Sequence, residues 1–227
     1  MNLKNNVLTR RTFIKAVGAS AAVLLLQPLF GSFLCEASVY PDKNNPVLFD
    51  KHKKAVLIYT ESNLKNLQKK NPHWGIVFKD GRLVDKAIFT SYCSPAEFHD
   101  ALTAIGAKAG NNLTEKSTGE SIKGDLLEVT AHWETSGGHY KLREVLEDSS
   151  NKGFTIRFGG NKSAALKEQT GCIMCLESCW IGITSNSEYP LIGSFQRFIS
   201  PNSWFKGNLS ILPPIDGQPV IFQYKLV

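Results

Sequence analysis

The chain has 227 residues, a formal net charge of +6 and 42% hydrophobic residues, which suits one domain with a full core. Residues 1–37 carry four basic side chains and one acidic one, so the rest of the chain has a net charge of only +3. No Lys/Arg stripe with interleaved aromatics runs through that remainder, and the composition excludes a nucleic-acid binder.

Residues 2–15 are polar and basic, with Lys4, Arg10, Arg11 and Lys15, and an apolar, small-residue run follows over 16–26. That order predicts an export signal over 1–37, cleaved after Ala37. The apolar run is too short to predict a membrane span. Thr9-Arg10-Arg11-Thr12-Phe13-Ile14-Lys15 resembles the twin-arginine motif, which implies the twin-arginine export machinery as a partner and a periplasmic or otherwise exported protein. That route carries folded proteins, often with a cofactor already inserted. Cleavage after Ala37 would remove Cys35. Residues 38–53 read as a linker, and 54–227 as the domain.

Within the domain, 55–60 is a run of apolar and β-branched residues that predicts a strand. Residues 63–70 fit a short helix or an exposed excursion. Residues 74–78 and 83–90 predict a β-hairpin, with Asp80-Gly81 in its turn. Ser94, Pro95 and Glu97 form a helix start with a capping box, and Phe98, Ala101, Leu102 and Ile105 share one face. Gly106 is placed as the stop, so a helix is expected over 94–106. Further strands are predicted over 126–133, 154–158, 180–184 and 220–226. Residues 140–146 fit a strand or a helical turn, and 162–168 a solvated segment. The last third is aromatic and rich in Gly and Pro, with Phe195, Phe198, Trp204 and Phe205. The expected class is α+β: a β-rich single domain with one helix packed on a mainly antiparallel sheet.

The chemistry concentrates in Gly171-Cys172-Ile173-Met174-Cys175-Leu176-Glu177-Ser178-Cys179-Trp180, which holds three of the five cysteines as C-x-x-C-x-x-x-C. Three thiols this close can reach one iron–sulfur cluster, most simply 4Fe–4S, through Cys172, Cys175 and Cys179. Cys93 is the remaining domain cysteine and the candidate fourth ligand. Two other chemistries stay open. Exported proteins keep disulfides, and four cysteines allow two. Zinc would be satisfied by all four, or by three with a histidine. Histidines 52, 73, 99, 132 and 139 are available, none at ligand spacing from the triplet. Leu176 follows C-x-x-C where covalent haem needs His. Gly159-Gly160-Asn161 reads as a tight turn beside the cysteines, whose amides would donate to cluster sulfurs. No nucleophile elbow or phosphate-binding glycine loop occurs, so no substrate-converting site is predicted.

Several stretches together resemble the YdjY-domain family of bacterial proteins. They are Phe98-His99-Asp100-Ala101-Leu102-Thr103-Ala104-Ile105-Gly106-Ala107-Lys108, then Gly110-Asn111-Asn112, and Arg157-Phe158-Gly159-Gly160-Asn161. The cysteine stretch, Gly182-Ile183, Ser185-Asn186, Phe205-Lys206-Gly207-Asn208 and Leu212-Pro213-Pro214 complete the match. Some members look ferredoxin-like or are joined to iron–sulfur modules, so the resemblance implies electron transfer or redox accessory work with a redox protein partner. Trp180 stands where the family pattern leads one to expect Pro, and a cysteine at Cys93 is not expected across the family.

Overall fold

A computed structural model describes residues 40–192 and 203–227. The expected leader, its cleavage site and Cys35 lie outside the described residues, as do Phe195 and Phe198.

The chain begins with β1 (Val47–Asp50) and β2 (Ala55–Ser62), an antiparallel pair. Part of the stretch expected as a linker is therefore a strand. After α1 (Leu64–Leu67) comes β3 (Trp74–Phe78), a 3-10 turn at Val84–Lys86 and β4 (Phe89–Ser91). Here the expected hairpin fails, because β3 and β4 run parallel, with Ile76 beside Phe89. The Asp80-Gly81 turn forms, but Arg82 and Leu83 then bond to the backbone of Gln169 and Thr170, and the turn at 84–86 leads the chain around before it enters β4.

Helix α2 (Pro95–Ala104) forms as its start signals demand: Ser94 accepts from the Glu97 amide while the Glu97 carboxylate accepts from the Ser94 amide. The chain continues through β5 (Leu126–His132), β6 (Tyr140–Lys141), α3 (Leu142–Val145), β7 (Leu146–Asp148) and β8 (Ile156–Phe158). Residues 162–168, expected as a solvated segment, form α4 (Lys162–Glu168). Then come β9 (Cys172–Cys175), β10 (Thr184–Asn186), β11 (Phe205–Gly207) and β12 (Pro219–Leu226). The strand expected over 180–184 begins only at Thr184.

Hydrogen bonding runs from β2 through β12, β5, β8, β10, β9, β3 and β4, and β4 pairs back onto β2. Eight strands thus close into a barrel, with β1 and β6 as outriders on β2 and β5, and β7 with β11 as a separate small pair. The α+β expectation is overturned: the sheet closes on itself, and the helices are short pieces around a β-barrel. Closure depends on β2 dividing one edge between two partners, β1 at 55–58 and β4 at 60–62. That division is a long-range pairing which no local pattern announces.

The barrel is filled by alternate residues of its strands. Val56 and Ile58 of β2 face Tyr224 and Phe222 of β12, and all four are fully buried. Each such side chain contributes about 1.5–3 kcal/mol on burial. Phe98 of α2 meets the Tyr224 ring at 4.8 Å, and the Tyr224 hydroxyl lies 3.6 Å from the Met174 sulfur in β9.

Candidate metal centre

Strand β9 carries Cys172 and Cys175, which in a regular strand would face opposite sides. The pairing with β3 is irregular. It matches Val77 to Cys172, Ile76 to Met174 and Trp74 to Cys175, so Ile173 and Gly75 are passed over. Such bulges re-aim side chains, and here the two thiols end in hydrogen-bond contact. Cys179 returns to them through the loop after β9. Its sulfur accepts from the amides of Ile181 at 3.4 Å and Gly182 at 3.3 Å, and it contacts Cys175. Asn161 clamps this loop from outside, its side-chain amide donating to the carbonyls of Cys179 and Gly182, both at 3.0 Å. Gly159-Gly160-Asn161 therefore does lie beside the cysteines. It acts through the Asn161 side chain rather than through amides on sulfur.

The fourth member of the cluster is His73, just before β3. Asn71 fixes its backbone: the Asn71 side-chain oxygen accepts from the amides of His73 and Trp74 at 3.0 and 2.8 Å, while the Asn71 backbone exchanges two 2.7 Å bonds with Phe205. The His73 carbonyl accepts from Leu176 at 2.8 Å, which extends the β3–β9 ladder past its end. A ring nitrogen of His73 and the sulfurs of Cys175 and Cys179 all lie within 4.8 Å of one another, and all three residues are buried. Cys172, 2% exposed, stands outside this trio but touches Cys175.

The electrostatics follow from this packing. Burial works against a charged imidazole, but Cys179 and Glu177 outweigh it and lift His73 to about 10. Burial likewise opposes a Cys179 thiolate, yet the contacts with Cys175 and His73 hold its pKa well below the usual thiol value. The Cys175 contact lowers Cys172. Cys175, in the middle, is raised by burial and by both neighbouring sulfurs. Burial thus brings together thiols that lose their protons more readily (Cys172 and Cys179), one that keeps its proton (Cys175) and an imidazole that gains one. A metal ion binding here would displace those protons to take up thiolates and the neutral imidazole.

Among the described residues Cys93, Cys172, Cys175 and Cys179 are free thiols. Cys93, the expected fourth ligand, is not brought to the trio. It sits between β4 and α2 with its sulfur 3.4 Å from the Ser94 carbonyl, and burial, with Glu97 nearby, pushes its pKa up. Of the other histidines, His99 packs on Phe158, and His132 stacks between Tyr40 and His139. Sequence reasoning had no spacing by which to single out His73, because the β3–β9 pairing alone brings it to the cysteines.

The family model for the YdjY domain matches residues 47–225. A relative described as "Uncharacterized protein YdjY", from Escherichia coli (strain K12), is 35% identical over 171 residues, 75% of this chain and 74% of that one. No solved structure matches. With the domain matched over nearly all of the barrel, this chain belongs to the YdjY domain family.

Proposed function

We propose that the chain is a metal-holding domain in which one ion is bound by Cys175, Cys179 and His73, with Cys172 as the fourth donor. One observation carries this: a nitrogen and two sulfurs drawn from separate stretches lie within 4.8 Å of one another in the core. Donors that share one tetrahedral zinc sit about 2.0–2.3 Å from it, so they lie roughly 3.5–3.8 Å apart. Atoms already within 4.8 Å of one another would draw in by up to about 1 Å around an ion. Three thiolates and an imidazole form a closed tetrahedral set of the kind that holds a structural zinc. The donors are buried, which suits an ion that ties chain segments together.

A second reading uses the same residues. A 4Fe–4S cluster on Cys172, Cys175 and Cys179 would make the protein an electron carrier or redox accessory. The two amides aimed at the Cys179 sulfur favour it, since such bonds tune cluster potentials. A cluster sits between its cysteine sulfurs and holds them further apart than one ion does, so it fits this spacing less well. The motif at 9–15 adds export by the twin-arginine route to either reading. Among the described residues no helix is long and apolar enough to cross a membrane.

The test is metal and acid-labile sulfide content of the full chain, purified without oxygen. About one zinc per chain without sulfide is expected for a single tetrahedral ion. Iron with matching sulfide and a brown colour would carry the cluster reading instead. Neither metal nor sulfide, together with failure to take up added zinc or iron, would remove both.

A further inference from the structure

Glu177 lies in the cysteine loop and is only 2% exposed, although nothing in the C-x-x-C-x-x-x-C spacing requires a carboxylate there. Its Oε2 stands 3.6 Å from His73 Nδ1, and its Oε1 is buried without a hydrogen-bond partner. The flanking residues leave it little choice of direction. The Leu176 amide is bonded to the His73 carbonyl, and the Ser178 amide to the Tyr189 carbonyl, both at 2.8 Å. The Ser178 hydroxyl oxygen in turn accepts from the Ile122 amide at 3.0 Å. The loop is thus pinned on both sides of Glu177, and its side chain is directed inward against the imidazole.

A buried carboxylate is costly unless a charged or hydrogen-bonding partner faces it. The carboxylate is not a member of the donor trio, and the member that it faces is His73. An imidazole has two nitrogens, and the bond made by one decides which is left bare for a metal. Carboxylates placed behind a ligating histidine fix its tautomer and ring orientation and strengthen it as a donor.

We propose that Glu177 is the positioning residue of this centre: its carboxylate, at ion-pair distance from His73 Nδ1, closes onto the Nδ1–H as the donors draw in, so that Nε2 is presented to the ion. The inference rests on the single-ion reading above. Glu177→Gln keeps the shape of the side chain and removes its charge. Glu177→Asp keeps the charge on a shorter arm.

The experiment uses the full chain of the wild type and both variants. Zn²⁺ affinity is measured by competition with a chelator, the Co²⁺ spectrum is recorded, and ¹⁵N shifts of His73 report its tautomer in the zinc-loaded protein. The expected result is a roughly 10- to 100-fold loss of affinity in Glu177→Gln. A changed Co²⁺ spectrum and a shifted His73 tautomer should accompany it, with partial recovery in Glu177→Asp. Circular dichroism checks that the variants fold, and if Glu177→Gln does not, the Glu177→Asp comparison carries the test. Wild-type affinity and an unaltered His73 signal in a folded variant would overturn the role of Glu177 while leaving the metal reading intact. A wild-type chain that takes up neither Zn²⁺ nor Co²⁺ would overturn both.

Discussion

At Gly182 the backbone passes so close to Cys175 that a β-carbon there would lie 2.7 Å from the Cys175 sulfur. The same β-carbon would lie 3.2 Å from the buried hydroxyl of Ser185, the residue paired with Cys175 on the neighbouring strand. Gly182 also supplies one of the amides that meet Cys179. Its lack of a side chain is what lets the loop close over the sulfurs. Gly182→Ala should therefore displace the Cys175 sulfur and cost about 1–3 kcal/mol, the usual range for overpacking a core. Denaturant midpoints with and without zinc check this. The gap between them should shrink in the variant, because the donors no longer converge.

His73 and Cys179 support one another in the core: each favours the charged form of the other against burial. Removing one leaves the other with weaker support, from Glu177 for His73 and from Cys175 and two amides for Cys179. The cost should therefore stay below the roughly 3–5 kcal/mol of a fully orphaned buried charge. His73→Ala and Cys179→Ala should each lose most metal and unfold at lower urea than the wild type. The double variant should be less destabilised than the sum of the two, since each single change already breaks the pair. A double-mutant cycle by urea denaturation measures that coupling, and strict additivity would argue against it.

Cys93 gives the contrasting case. Its sulfur bonds to the Ser94 carbonyl and stays outside the donor group. Cys93→Ala should keep the metal content of the wild type and lose only the packing of one buried sulfur, at most about 1.5 kcal/mol by analogy with trimming a methyl group. Metal analysis of the purified variant decides this, and loss of metal would return Cys93 to the ligand set.

A pH effect is expected from Glu61, which accepts from Tyr92 at 2.8 Å and Tyr59 at 3.0 Å and pairs with Lys43 at 2.7 Å. Partial burial raises its pKa, but these three partners outweigh burial and leave the carboxyl below its ordinary value. A carboxyl depressed in the folded state stabilises the protein above its unfolded pKa of about 4.3, and that contribution fades as pH falls through the folded value. Glu61 is 17% exposed but its cation Lys43 is 55% exposed, so solvent screens the pair and its size stays in the surface-pair range of up to about 1 kcal/mol. Glu61→Gln should be less stable than the wild type at pH 7, and the difference should vanish as the medium is acidified below pH 4. Thermal melts at several pH values check the convergence.

What could be read in advance was local. The capping box at Ser94–Glu97, the apolar run of β2 and the alternation of β12 are each written within a few residues, and each forms. The hairpin expected from Asp80-Gly81 did not form, because turn chemistry does not say where the chain goes next; hydrogen bonds to Gln169 and Thr170 settle that here. Barrel closure through β4 and β2 is likewise a property of distant pairing. The site divides in the same way. Three cysteines in one stretch stand out as candidates in the sequence, whereas the approach of His73 to Cys175 and Cys179, and the position of Cys93 away from that trio, depend on which strands lie beside β9.

Whether one ion sits among His73, Cys172, Cys175 and Cys179 is read from X-ray absorption at the metal edge, on the full chain purified without oxygen and loaded with its native metal. The expected spectrum shows a first shell of sulfur at about 2.3 Å and nitrogen at about 2.0–2.1 Å, in a ratio near three to one, with no metal–metal scattering. A metal–metal shell would show a cluster instead, and a shell of oxygen alone would contradict the site.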